Sequence, residues 1–412
     1  MVEAVKQPAR ARRPVDQFTT ACTVAYAMLG WTLSGLGAIL PELREELGGQ
    51  ASIYPLMPGA ALVAIGLVSQ AHRHTPRRTQ RRAIWHGSAL LSASIVLLTI
   101  TRFEIVSAIG AVAVGLTAAG LIRVIPAALT AHQPTRSMSV VTRANAWSSL
   151  ASIAAPLTIG GAIGIGIGWR IGLFVAPAIA AIWVILLSRS DHDAPAAGGA
   201  PNLPAEIEPV DGAANESTET VAHPWFGAWL ILCLSIVVEF AFVYFASTYL
   251  HEEVGMSKAG AASGTAAFAV GMAVSRFLAG PIRSLGHLPL PAHLATIGAG
   301  FVLLWAVDSP ITAIVGITIA GAGTALLYPI GISRLLSRFP DARELGATRG
   351  ALASGVALLS SPALLGALRA ASNVRTAYLS VPVLLVVIAF VNRHEQRRQG
   401  LPNKDQIISR AG

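Results

Sequence analysis

The chain carries the same pattern of five residues twice, half its own length apart. Thr142, Arg143, Ser148, Pro156 and Gly160 in the first half match Thr348, Arg349, Ser354, Pro362 and Gly366 in the second, each displaced by 206 positions in a chain of 412. Just upstream, Gly120 and Pro126 return as Gly323 and Pro329 at an offset of 203, so the register survives a small insertion or deletion. A duplication on this scale predicts two like halves, residues 1–189 and 224–412, related by an approximate two-fold axis with Pro156 over Pro362.

Hydropathy says what those halves are made of. Hydrophobic residues are 53% of the chain and charged residues 12%, about half the charge of an ordinary soluble domain, and mean hydropathy is +0.60. Twelve runs approach the ~20 apolar residues that a membrane-crossing helix needs. They are Phe18 to Leu40, Ile53 to Gln70, Ile84 to Ile100, Glu104 to Leu129, Ala144 to Gly164, Ile171 to Leu187, Trp225 to Leu250, Ala261 to Leu278, Ala292 to Val307, Ile311 to Leu335, Ala351 to Leu368 and Ala377 to Val391. Open strands would leave backbone groups unpaired in lipid, so the expected fold is an all-α membrane protein of twelve transmembrane helices in two pseudo-symmetric six-helix bundles. The first run is too long for a cleaved leader and leads straight into Pro41-Glu42-Leu43-Arg44, so it is expected to stay.

The cations orient the bundle. With the N-terminus inside, the cytoplasmic stretches hold 22 Lys and Arg against six outside (Arg44, Arg102, Arg170, Lys258, Arg369 and Arg375), which places both termini in the cytoplasm of a multi-pass inner-membrane protein. The net charge of +9 then faces an anionic leaflet; there is no soluble basic domain to serve as a nucleic-acid footprint. Residues 190–223 are rich in Ala, Pro, Gly and acids, too polar to bury a core, and are expected to form a disordered cytoplasmic linker between the halves. Cys22 and Cys233 lie in apolar runs and read as small core residues.

Glu239 alone among the 21 acids falls near the middle of a membrane run. A charge at that depth costs roughly 2.5 kcal/mol or more, and Ser235 to Phe242 offers no neighbouring cation to offset it. Glu239 is therefore the first candidate for coupling to protons or for holding a cationic group; the alternative is a protonated glutamate hydrogen-bonded to a neighbouring helix. Arg123 lies toward the inner end of the fourth run, either in a cavity or snorkelling to the interface. Arg276 near the inner end of the eighth run reads as a gate residue, and Tyr26, Trp31, Tyr244 and Tyr328 are polar-tipped aromatics suited to line a small-molecule pocket or to pack. His72 and His74 lack further ligands, and no paired-acid metal motif, nucleotide loop or nucleophile elbow is visible, so no metal, cofactor or enzymatic centre is expected.

The two six-segment halves, the long central loop, the Pro156 and Pro362 helices and the stretch Tyr249 to Ser257 leading to Gly271-Met272-Ala273-Val274-Ser275-Arg276 together resemble the major facilitator superfamily. That last run looks like the family's Gly-x-x-x-Asp-Arg loop signature with Ser275 in place of the acid. In the first half Gly66 leads into His72-Arg73-His74-Thr75-Pro76-Arg77-Arg78 without an Asp. Arg73, Arg77, Arg78 and Arg276 are its candidate cytoplasmic gate. Ala155-Pro156-Leu157-Thr158-Ile159-Gly160-Gly161 approximates the family's antiporter motif and favours export. Pro156, Gly160, Gly161, Pro362 and Gly366 are accordingly expected at helix-packing positions. The resemblance implies alternating access around a cavity lined by segments 1, 4, 7 and 10, which carry Glu239, Arg123, Tyr26, Trp31, Tyr244 and Tyr328. The expectation is a monomeric, proton-coupled secondary transporter of a small organic solute. An importer of a small anion held by Arg123, or a transport-dead sensor or scaffold, are the alternatives.

Overall fold

The computed structural model describes residues 16–47, 60, 77–100, 103–133, 137–190, 225–279, 288–339 and 343–400. The second run, Arg73 and the linker beyond Ser190 lie outside the described residues, as do the side chains of Arg77 and Arg78. The first half comprises α1 (Gln17–Ala38), α2 (Leu40–Leu47), α3 (Arg77–Thr99), α4 (Glu104–His132), α5 (Ser137–Gly164) and α6 (Trp169–Ser190). The second comprises α7 (Phe226–Glu252), α8 (Lys258–Gly264), α9 (Ala266–Ala279), α10 (Leu290–Ala306), α11 (Pro310–Thr324), α12 (Leu327–Leu336), α13 (Arg343–Ala371), α14 (Val374–Tyr378) and α15 (Ser380–Gly400). Among the described residues ten stretches are long and apolar enough to cross a membrane, and α10 is a shorter apolar helix in the place of the ninth run.

The packing repeats as the sequence does. In the first half α1 lies against α5 and α6 while α3 lies against α4 and α6; in the second α7 lies against α13 and α15 while α10 lies against α11 and α15. Pro156 and Pro362 occupy the same place along α5 and α13, each 19 residues past the helix start. Helices in lipid gain little from hydrophobic burial against one another, so small residues that admit close backbone approach set the contacts. A Cβ on Gly271 would stand 2.0 Å from the Thr318 carbonyl oxygen, and one on Gly300 would stand 2.5 Å from that of Gly316, which pins α9 and α10 to α11. The outer surface is apolar: Ile171, Val175, Ile179, Ile182 and Leu186 recur at helical spacing along α6 and are all exposed, as a lipid-facing stripe must be.

A proline breaks the expected tenth run, which is interrupted at Ala325 and Leu326 between α11 and α12. Pro329 has no N–H to return to the carbonyl four residues earlier, and its ring displaces that carbonyl, so the oxygen of Ala325 is released from the helix. At the face where α1 begins, Asp16 caps α1 by accepting from the Phe18 N–H at 3.1 Å and pairs with His132 at the end of α4. Partial burial pushes the Asp16 carboxyl up; the His132 ring and the hydrogen bonds from Thr19 and Phe18 outweigh this and hold it below the usual range.

The opposite face, where α1 meets α2, is shut. Ser247 of α7 donates to the Ala38 carbonyl at 3.1 Å, and a Cβ on Gly37 would stand 1.9 Å from the Val243 carbonyl oxygen. Helix α2 straps across this seam. Its Arg44 donates to Thr248 at 3.0 Å and lies over the Phe245 ring, and its Glu42 and Glu45 both pair with Lys258 at the start of α8. Burial, with repulsion from Arg369 partly offset by Glu252, brings the Arg44 guanidinium down to about 10, which leaves it charged at neutral pH. Glu46 turns back to its own half and receives Arg170 Nη1 at 2.9 Å. Partly exposed pairs of this kind are worth up to about 1 kcal/mol each. We therefore expect Lys258→Gln to raise labelling of a cysteine at Leu33 by an impermeant maleimide applied to this face several-fold, and high salt to do the same to the parent protein. Labelling that ignores both changes would show that α2 is not a latch.

Candidate functional site

Between the halves, on the terminal side of the seal, lies a cavity of about 280 Å³. That is near the lower end of small-molecule sites, about 300 to 1,000 Å³. From the first half come Tyr26, Leu29, Gly30, Leu33 and Ser34 of α1, Ile122 of α4, and Asn145, Ser148, Ser149 and Ser152 of α5. From the second come Glu239, Phe240 and Val243 of α7, Thr265 at the α8–α9 break, and Phe268, Ala269, Met272 and Arg276 of α9.

Each wall has a local cause. Gly30 lets α1 approach α5 so closely that a Cβ would stand 2.2 Å from the Ser148 carbonyl oxygen, and Ser34 then donates to the Ser152 carbonyl at 2.8 Å. Asn145, Ser148, Ser149 and Ser152 are spaced as one face of a helix, so α5 offers the cavity a ladder of neutral hydrogen-bonding groups. On the other side Arg276 donates Nε to the Ala325 carbonyl at 3.0 Å, the oxygen that Pro329 releases. This anchors the guanidinium on the same wall as Glu239, within range of its charge, yet the two do not close an ion pair with each other. The cavity thus has an aromatic and charged wall from one half and a neutral, hydroxyl-rich wall from the other.

The candidates read from the sequence separate into three groups. Tyr26, Glu239 and Arg276 line the cavity, and Tyr328, 40% exposed on α12, is outside the lining but within range of the Glu239 charge. Trp31 and Tyr244 do not line it. Trp31 is buried and donates to the Leu173 carbonyl at 3.0 Å, tying α1 to α6, while Tyr244 is fully buried behind Phe240. Arg123 is exposed on the stripe of α4 that also exposes Ile105, Ile109, Val112 and Leu116, outside the cavity lining. Gly160 packs between the halves, its Cβ position 2.0 Å from Ser263 Oγ and 2.5 Å from the Ala259 carbonyl oxygen, whereas Gly161 and Gly366 meet no described atom within 4 Å. The α5 ladder is a face of the cavity that sequence reasoning missed; its signal is four polar residues at positions i, i+3, i+4 and i+7 in an apolar helix.

A family model described as Major Facilitator Superfamily matches residues 20–291, well over half of the chain. The chain belongs to the major facilitator superfamily. Its fold agrees: a bacterial homologue of the human lysosomal transporter Spinster, in an inward-facing and occupied conformation, superposes with a TM-score of 0.68 at 13% identity, over 92% of this chain and 96% of that one. A peptide transporter POT in complex with sulfate gives a TM-score of 0.71 at 13% identity over 95% and 97%, and a point mutant of the nucleoside transporter NupG gives 0.65 at 12% over 92% and 98%. A comparison with curated proteins returns no match. As a member of this superfamily the chain is a multi-pass membrane transporter rather than an enzyme.

Proposed function

We propose that the protein is a secondary active transporter that moves a small organic solute across the cytoplasmic membrane by alternating access, coupled to protons through Glu239 and working in the direction of export. The observation that carries this reading is the position of Glu239, the one carboxylate among the residues lining the cavity between the halves. A carboxylate held at membrane depth is tolerated where it meets water, a partner or a proton, and rocking of the halves changes which of these it meets. The seal at the α2 face, together with the exposure of Asn145 and Arg276 of the cavity lining, supports a state open to one side only. With both termini in the cytoplasm, as the cation distribution favours, that state faces inward. The segment 5 motif Ala155 to Gly161 supports export.

Import of an anion on Arg123 gains no support from the geometry, because Arg123 stands outside the cavity lining. The test is reconstitution into vesicles with a trapped pH dye and a panel of metabolites and drugs. A solute that moves protons only when it is itself transported supports the reading. Solutes that bind the purified protein but never move protons or themselves would leave the sensor or scaffold alternative.

A further inference from the structure

Several opposite charges among the described residues close directly: Arg170 on Glu46, Arg369 on Glu252, Arg375 on Asp308, Arg338 on Glu395 and Lys258 on Glu42. Glu239 and Arg276 line one wall of the same cavity, feel each other's charge, and stay apart. The guanidinium is held back by the Ala325 carbonyl through Nε alone, which leaves its two terminal nitrogens to fork a carboxylate. Two separated and opposite charges that line one cavity without closing on each other are each left short of a charged partner, so a solute that supplies both counter-charges satisfies both.

Neither single-charge class fits as well. A bare anion on Arg276 adds a second negative charge beside Glu239, and a bare cation on Glu239 adds a second positive charge beside Arg276. The opposite wall carries no formal charge: Ser34, Asn145, Ser148, Ser149 and Ser152 can only donate or accept hydrogen bonds. Phe240, Phe268 and Met272 offer apolar contact for a short side chain.

We propose that the cavity takes a small zwitterion of the amino-acid type, its ammonium on Glu239, its carboxylate on Arg276, and its side chain between the α7–α9 aromatics and the α5 ladder. This rests on the transporter reading above and deepens it: Glu239 holds either the substrate ammonium or a proton, which is the exchange that export against a proton gradient requires.

The experiment uses calorimetric binding to the full-length purified protein of three probes of one shape. They are leucine, 4-methylpentanoate, which lacks its ammonium, and 3-methylbutylamine, which lacks its carboxylate; serine and phenylalanine extend the side-chain range. A charge-assisted hydrogen bond is worth about 1.5 to 3 kcal/mol, so at least one zwitterion should bind roughly ten-fold or more tighter than either single-charge probe. Glu239→Gln should remove the zwitterion's advantage over 4-methylpentanoate, with that acid binding as well as or better than it does to the parent protein. Arg276→Gln should drop it to the level of the amine, with Arg276→Lys retaining part of the difference and guarding against a folding defect. Equal binding of the acid and the zwitterion, equal binding of the amine and the zwitterion, or no binding by any of the three amino acids would each overturn the proposal. Because binding is read and not flux, the two readings fail separately. Proton-coupled flux of another solute class with no zwitterion binding removes only the substrate assignment, and the expected binding order with no flux removes only the transport reading.

Discussion

Replacing Glu239 by Gln is expected to abolish solute movement driven by a pH gradient in reconstituted vesicles while the protein folds and sits in the membrane as before. Gln keeps the size of the side chain and two of its hydrogen-bonding atoms but cannot bind and release a proton. It also leaves Arg276, held by the Ala325 carbonyl, without its nearest counter-charge. No other carboxylate lines the cavity to take over the role. Glu239→Asp, which titrates but sits one methylene further back, should retain partial activity. The measurement is initial flux with and without an imposed gradient, alongside thermal unfolding of the purified variant. An unchanged gradient-driven rate for the Gln variant would take Glu239 out of the mechanism and make it a protonated structural residue.

Adding a single methyl at Gly160 should shift the balance between the two states of the cavity. Gly160 lies on α5 in the first half and meets α8 in the second, where a Cβ would stand 2.5 Å from the Ala259 carbonyl oxygen and 2.8 Å from the Ser263 backbone nitrogen. Backbone cannot turn aside as a flexible side chain can, so the halves must separate there. Overpacking of this kind costs about 1 to 3 kcal/mol, which in a two-state equilibrium is roughly a five- to 150-fold shift away from the sealed state. Gly37→Ala presses on the same seam through the Val243 carbonyl oxygen, 1.9 Å from its Cβ position, and should act in the same direction. Because each half keeps its own packing, stability is expected to fall less than the conformational balance moves. Labelling of a cysteine at Leu33 from the α2 face, in a background lacking Cys22 and Cys233, checks this. If Gly160→Ala leaves that labelling and the transport rate unchanged, the α5–α8 contact is not part of the seal.

The family and much of the fold were legible in the chain because they depend on properties that neighbouring residues share. Ten of the twelve apolar runs correspond to helices long enough to cross a membrane, since a backbone without water must pair with itself locally. The duplication at an offset of 206 reappears as matching contacts of α1 with α5 and α6 and of α7 with α13 and α15, because like sequences bury like faces. Glu239 could be singled out from solvation cost alone, and the consequence of Pro329 for the carbonyl of Ala325 follows from covalent structure.

What only the tertiary structure decided is which side chains share the cavity. Arg276 is 37 residues from Glu239 in sequence and shares the cavity with it because α9 turns that face inward and the Ala325 carbonyl, in the break between α11 and α12, holds the guanidinium. Trp31 and Tyr244 carry the same polar-tipped rings as Tyr26, on the same two inner helices, yet they pack against α6 and Phe240 while Tyr26 faces the cavity. Position around a helix axis distinguishes them, and in helices apolar on most sides hydropathy carries little record of that angle. The seal by α2 is equally silent in the sequence, since Arg44 and Thr248 are brought together only when the two halves close. Solvation and local periodicity decide that a segment is a helix in lipid; which faces meet is decided by close approach at residues such as Gly30, Gly37 and Gly160, where one missing Cβ sets the geometry of both halves.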